Sequence, residues 1–509
     1  IKCINSKVQI LKNLKIMQAI LNQTNTAKTR PLQKPFQQSK MYSIVPIFIW
    51  VLFFANLGAL IYYFPNTPTW HWENIFKING FTLLIWTTVT FFSAIVSTYA
   101  RNYLKGFLNH SQFTIYSFGF LFVVMLLVMS NHILPFIGSW LLMGIFMAQL
   151  IGVDKSWVEA REASEYAQKF FLLGTFFLGS GLFLLASQTN FYTIEEIIQN
   201  LETLPAYIKI MASVCIIMAA IIQSAMYPFQ RWLLSAMTAP TPASALMHAG
   251  FVNGGGILLA FFSTLLFDSH TLTLLFVIGG ITAITAQFTK LLQVNVKQKL
   301  ACSTIAQMGF MIMQCGLGFF NAAVAHLILH GFYKAYLFLS AGDEIQNTNP
   351  SKPYKIVITP VQALVVLIFG ALGAVLFSYL TGKGTTLDSG IILTLIVAIT
   401  VGQVTYNIVK QEIFTSFQKI LFPIILFTTG IVLYALLYNG VTILMADMPM
   451  IDAPVSISAI HIIFGIIFLI GFFIMKLGVY RKVPWLYVKL MNDSQPYKKT
   501  ILTSNQKSL

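Results

Sequence analysis

Runs of roughly 20 apolar residues separated by short polar loops recur from residue 43 to residue 475, each long enough for a helix to cross the hydrocarbon core of a bilayer. Lipid offers backbone N–H and C=O groups no partner, so such a chain folds as a bundle of helices that satisfy their own backbones. Polar punctuation divides the apolar sequence into fourteen spans: 43–63, 79–99, 112–129, 131–152, 169–187, 207–227, 242–263, 271–291, 299–320, 321–341, 357–380, 389–409, 420–439 and 457–475. Composition agrees, because 57% hydrophobic and 9% charged residues describe no water-soluble core. The fold class expected is an all-α polytopic membrane protein.

Loop charge provides an independent check, since alternate loops face alternate sides and Lys and Arg collect in the cytoplasm. One set of loops holds Arg101, Lys105, Lys155, Arg161, Lys169, Arg231, Lys290, Lys297, Lys299, Lys352, Lys355, Lys410 and Lys419. The other holds Lys77, Lys209 and Lys383, with Glu195, Glu196, Glu202, Asp268, Asp447 and Asp452. An odd error in the number of spans would scramble that separation, so an even number with both termini cytoplasmic is expected. The net charge of +16 is therefore a juxtamembrane property and no sign of nucleic-acid binding.

Residues 1–40 are basic and rich in Gln and Asn, and are expected to be disordered or non-native, with translation starting at Met41. The alternative is an amphipathic surface helix around "VQILKNLKIMQAIL". "REASEYAQKFF" is expected to lie along the membrane surface, and "TIEEIIQNLETLPAY" to form a short helix on the outer side. Cys3, Cys215, Cys302 and Cys315 show no CxxC spacing, so neither a disulfide nor a metal site is expected, and no cofactor motif is present. Gly316 and Gly318 are expected to allow close helix contact.

Two features carry chemistry. Span seven with its approach, "MYPFQRWLLSAMTAPTPASALMHAGFVNGGGILLAFF", contains Pro228, Pro240, Pro242 and the run Gly254 to Gly256, and a helix there is expected to break. Membrane proteins keep such breaks where protein or an internal cavity satisfies the freed groups, often at a transport site. His248 and Asn253 lie in the same stretch. In span ten, His326, His330 and Lys334 recur every fourth residue and form one stripe on a helix. An ionisable group at bilayer depth costs roughly 2.5 to 3.5 kcal/mol, so the stripe is expected to face the bundle interior. There these side chains can exchange protons near neutral pH. The bland alternative has Lys334 reaching the cytoplasmic edge and the histidines bonded to backbone.

"YPFQRWLLSAMTAPTPASALMHAGFVNGGGILL" together with "VKQKLACSTIAQMGFMIMQCGLGFFNAAVAHLILHGFYKAYLFLSAG" resembles the proton-translocating, antiporter-like membrane subunits of respiratory complex I and Mrp antiporters. The resemblance implies two inverted five-helix repeats, 112–267 and 268–410, each with a broken helix, flanked by N-terminal helices 41–111, C-terminal helices 411–480 and a basic cytoplasmic tail 481–509. It carries an ion-pathway role onto His248, His326, His330, Lys334 and Lys297, while Lys383 is too loosely aligned. The chain departs from the complex I members in two places: Trp140 is followed by Leu141 instead of a glutamate, and Gln223 stands where they have a lysine. With the HAGFVNGGG continuation and the shorter C-terminal part, this resembles the DabB-type membrane subunits of DAB inorganic carbon transporters. That resemblance implies a bacterial inner-membrane protein conducting protons or another monovalent cation. It also implies a DabA-like zinc-containing partner on the cytoplasmic face that hydrates CO2 to bicarbonate. A cation/proton antiporter subunit, or a non-conducting scaffold for a soluble enzyme, stays open from the residues alone.

Overall fold

A computed structural model describes residues 41–341, 360–409, 415–477 and 482–501. The expectations for residues 1–40 and for Lys352, Lys355 and Lys410 lie outside the described residues. In chain order the helices are α1 (Met41–Tyr63), α2 (Gly80–Tyr103), α3 (His110–Met129), α4 (Ile133–Ile151), α5 (Val158–Thr189), α6 (Ile194–Gln199), α7 (Ala206–Gln223) and α8 (Arg231–Ser235). They continue as α9 (Thr241–Ala249), α10 (Gly254–Phe261), α11 (Ser263–Asp268), α12 (Leu272–Leu292), α13 (Val296–Gly316) and α14 (Phe320–Leu339). The last are α15 (Pro360–Thr381), α16 (Gly390–Val409), α17 (Ser416–Leu444), α18 (Ala459–Leu477) and α19 (Pro484–Asp493). One small antiparallel hairpin, β1 (Trp70–Trp72) with β2 (Phe76–Ile78), links α1 to α2.

Every predicted span coincides with helix, and among the described residues eleven segments are apolar and long enough to cross a membrane. Hydropathy thus supports eleven of the fourteen expected crossings. The others are α16 and α18, whose apolar stretches are shorter, and α13, which carries Lys297, Lys299, Gln298, Gln307 and Gln314. Burial orders the bundle. The segment Thr241–Phe261 is 89% buried, whereas the windows in α1 and α17 are 22% and 17% buried. Outward side chains such as Ile44, Ile47, Phe48, Val51 and Phe54 on α1 are the surface that lipid solvates.

The segment "REASEYAQKFF" does not form a separate surface helix; it is the opening of α5, a single helix of 32 residues. Nothing between Val158 and Thr189 interrupts the backbone ladder, so the polar turns continue into the apolar run. At about 1.5 Å per residue this helix is about 48 Å long and overshoots a hydrocarbon core of about 30 Å. The short helix expected in "TIEEIIQNLETLPAY" is α6, capped by Thr193, whose side chain accepts from the Glu196 amide.

Glycine sets the closest helix contact. A Cβ on Gly309 would lie 2.6 Å from the Ala283 nitrogen, one on Gly279 2.6 Å from the Gly309 carbonyl oxygen, and one on Gly316 2.4 Å from the Phe276 nitrogen. The backbones of α12 and α13 therefore touch along a seam. Gly318 does something different from the expected helix contact. It turns the chain from α13 into α14 with φ of +87°, and its Cβ would strike the Ala453 carbonyl at 2.0 Å.

Both faces of the bundle are tied by polar contacts. On one, all three basic residues of the acidic loops are ion-paired: Lys77 with Glu195 at 3.6 Å and Asp447 at 3.8 Å, Lys209 with Asp268 at 3.6 Å, and Lys383 with Asp452 at 2.6 Å. On the other, the segment after α19 crosses back to the helix break described below. Gln230 donates to the Asp493 carbonyl at 3.2 Å, Tyr497 donates its amide to the Ser235 hydroxyl at 2.8 Å, and the Tyr497 and Tyr166 rings stack 4.4 Å apart.

Candidate functional site

Span seven breaks as expected, but past its prolines, at residues 250–253, and another interruption precedes it. Helix α7 stops at Gln223, residues 224–230 are irregular around Pro228, and the path resumes in α8 and a 3-10 turn, Ala236–Thr238. Pro240 and Pro242 do not interrupt a helix. Pro240 is the N-cap of α9 and Pro242 sits in its first turn, where a missing N–H leaves no bond unmade. A second deformation follows at Gly250, where the 3-10 turn Phe251–Asn253 separates α9 from α10.

Side chains of the first interruption bond to carbonyls of the second, and each also bonds within itself. Gln223 donates its amide to the Phe251 carbonyl at 3.2 Å and Ser224 donates its hydroxyl to the Val252 carbonyl at 2.9 Å. Trp232 donates to the Ile222 carbonyl at 2.9 Å, and Asn253 to the Ala249 carbonyl at 2.8 Å and the Leu327 carbonyl on α14 at 3.4 Å. The glycine run permits this closeness, for a Cβ on Gly255 would sit 2.2 Å from the Ser224 hydroxyl and 2.6 Å from the Ala220 carbonyl oxygen. Gln223, which the resemblance sets against a lysine, is thus a backbone cap. Gln223→Leu should remove one of the two bonds to the Phe251 carbonyl, which keeps the Gly254 N–H as a donor, and cost about 0.5 to 1.5 kcal/mol, read as a lower unfolding temperature in detergent. A variant as stable as the parent would refute the capping role.

The stripe on α14 faces the bundle, with Lys334 wholly buried, His330 5% exposed and His248 on α9 wholly buried beside it. Lys334 donates to the Leu300 carbonyl at 2.9 Å and to the Ser303 hydroxyl on α13. Leu300 also accepts from the Thr304 hydroxyl at 3.1 Å, and Thr304 lies 2.9 Å from His248 Nδ1. Either the Thr304 hydroxyl or the His248 Nδ1 can donate in that contact, and His248 Nε2 is buried with no partner. Lys334 and Thr304 therefore share the Leu300 carbonyl as acceptor, and Thr304 joins this group to His248. No carboxylate among the described residues lies within salt-bridge distance of Lys334, so the lysine can take or release a proton without breaking an ion pair.

His330 has no partner on either ring nitrogen, and its ring centroid is 6.3 Å from that of His326. His326 lines a cavity of about 480 Å³ with Gln307, Gln314 and Tyr434. Lys297 stands apart from the stripe and donates to the Ala239 carbonyl at 3.0 Å, at the end of the broken-helix segment. Sequence reasoning missed Ser303 and Thr304. A signal was present, because Ser303, Gln307 and Gln314 recur at spacings of four and seven and so share one face of α13.

Ionisable groups enclosed beside a broken helix, within a bundle whose outer surface is apolar, define a polytopic membrane protein of the antiporter-like type. The chain belongs to the NADH:quinone oxidoreductase/Mrp antiporter transmembrane family, whose sequence profile matches residues 130–409. It is 34% identical over 330 residues to the "probable inorganic carbon transporter subunit DabB" of Bacillus anthracis, a match covering 64% of this chain and 63% of that protein. It is 33% identical to the Bacillus subtilis protein of the same description, covering 59% and 58%. It is 31% identical to NADH-quinone oxidoreductase subunit L of Escherichia coli, covering 60% and 51%. In each case the match spans less than two thirds of the relative's length. Among solved structures, a chain of the Mrp complex from Dietzia sp. superposes with a TM-score of 0.56 at 19% identity, covering 88% of this chain and 57% of that one, a likeness of fold.

Proposed function

We propose that the chain is the proton- or monovalent-cation-conducting membrane subunit of an energy-coupled inorganic carbon transporter. In this reading it sits in a bacterial inner membrane with both termini cytoplasmic. A DabA-like zinc-containing partner docks on the cytoplasmic face and hydrates CO2 to bicarbonate, while ion flow through this chain drives that reaction one way. The observation that carries the reading is the buried group of Lys334, Thr304 and His248 joined at the Leu300 carbonyl, in a chain whose Leu141 and Gln223 stand where the resemblance puts the glutamate and lysine of complex I subunits. In this reading the chain keeps one half of a conduction path and lacks the other, which suits a subunit that couples to a partner. The relatives described as inorganic carbon transporter subunits support the same reading. One elementary charge crossing 100 mV releases about 2.3 kcal/mol, and about 1.4 kcal/mol is a factor of ten in an equilibrium. A single proton can therefore bias a near-balanced hydration well over tenfold.

The second reading is a cation/proton antiporter subunit of a complex I-like or Mrp-like assembly, favoured by the likeness to subunit L. Coexpression with a zinc protein encoded beside it, in cells lacking carbonic anhydrase, separates the two: growth in ambient air is expected for the carbon transporter alone. His330→Leu should abolish that growth. Because neither ring nitrogen has a partner, the substitution strands no hydrogen bond and should leave protein levels unchanged. Undiminished growth of the variant would leave the chain a scaffold.

A further inference from the structure

The face of the bundle where α14 begins carries a polar cluster that the reading above does not use. The Asp452 carboxylate accepts from Lys383 Nζ at 2.6 Å and from the Tyr438 hydroxyl on α17 at 3.2 Å. That hydroxyl accepts in turn from the side chain of Asn321, which also donates to the Thr442 hydroxyl at 2.8 Å. Asn321 is the second residue of the stripe helix and is fully buried. Lys383 Nζ also stands 4.8 Å over the Phe319 ring. The groups facing Asp452 are thus one ammonium, one phenol and, through the phenol, one amide.

The cluster leads inward. One turn deeper on α17, the Tyr434 ring lies nearly parallel to that of Tyr438, centroids 6.3 Å apart, and Tyr434 meets the Gln314 side chain. Gln314 is 1% exposed and its Oε1 has no partner. It lines the 480 Å³ cavity together with Tyr434 and His326. A space of that size with amide, phenol and imidazole in its wall has room for on the order of ten waters. Hydrogen-bonding groups are therefore spaced from Asp452 at the surface to His326 on the stripe, with two intervals that water must fill, one between the Tyr438 and Tyr434 hydroxyls and one across the cavity, whose wall is otherwise mainly apolar.

Resting on the conduction proposed above, we infer that Asp452 and Tyr438 form the mouth of the ion path on the face opposite Lys297, passing protons between that face and the cavity beside His326. An incoming proton makes an O–H bond on Asp452. The Tyr438 hydroxyl, which donates to the carboxylate at rest, first turns inward toward Tyr434. The Asp452 O–H bond then breaks as the Tyr438 oxygen takes that proton and releases its inward hydroxyl proton through water, which leaves both groups as they began. Lys383 holds the carboxylate in place, and Asn321 fixes the phenol at the head of the stripe helix.

The test is proton flux per folded complex in proteoliposomes carrying the full chain with its partner, a pH-sensitive dye inside and an imposed potential. Tyr438→Phe, which keeps the ring and its packing, should lower flux roughly tenfold or more, as should Asp452→Asn, while Asp452→Glu keeps most of it. The dependence of flux on pH should flatten on the Asp452 side and persist on the other. Unchanged flux in Tyr438→Phe overturns the inference, and so does equal damage in Asp452→Glu and Asp452→Asn, which would make the cluster a clamp. His330→Leu separates the two levels: normal flux there sinks conduction through the stripe, whereas lost flux there with normal flux in Tyr438→Phe sinks only the mouth.

Discussion

Lys334→Met should silence the protein without unfolding it. Methionine follows the same unbranched path through the core, and the acceptors left behind, the Leu300 carbonyl and the Ser303 hydroxyl, are neutral. The stability cost should be about 1 kcal/mol, that of a typical buried hydrogen bond. The functional cost should be far larger, about 10²-fold or more in transport, as for removal of a positioned proton-transfer group. Lys334→Arg sharpens the test. Guanidinium stays charged at every accessible pH, so a residue that must release its proton fails with arginine, whereas a residue supplying only fixed positive charge survives. Carbon uptake in Lys334→Arg cells equal to that of the parent would rule out proton carriage at this position.

Gly309→Leu should remove folded protein from the membrane altogether. The added Cβ would meet the Ala283 nitrogen at 2.6 Å and the Gly279 carbonyl oxygen at 2.8 Å. Both atoms belong to the neighbouring backbone and neither can turn aside. Overpacking ordinarily costs about 1 to 3 kcal/mol, and a clash with main chain along a helix seam lies at or beyond the upper end. A fluorescent fusion followed by size exclusion in detergent reads the result directly. Gly138, with no atom within 4 Å of a built Cβ, supplies the control: Gly138→Ala should elute as the parent does, and a Gly309→Leu peak of equal height would remove the seam from the explanation.

Much of this was legible in the sequence because lipid leaves few choices. Apolar runs placed helix at every expected span, and the i, i+4 spacing of His326, His330 and Lys334 placed them on one inward face. The less legible parts depend on what a side chain meets across space. Proline at 240 and 242 reads as a helix breaker, yet the same residue is neutral in a first turn, and only the position of the N-cap decides which applies. The surface helix expected at "REASEYAQKFF" failed because polarity marks where lipid ends, not where a helix does. Gln223 looked like a loss when set beside the lysine of related subunits. Its gain, a bond to the Phe251 carbonyl 28 residues away, needs coordinates to be seen.

The contacts between the C-terminal segment and the broken-helix region join residues 262 and 263 positions apart. At synthesis rates of about 5 to 20 residues per second, Gln230 and Ser235 wait about 13 to 50 s for Asp493 and Tyr497 to leave the ribosome. The region next to Lys297 therefore acquires its last partners after every intervening helix has entered the bilayer. A chain that stalls midway therefore carries a broken-helix region whose final tether has not yet been made.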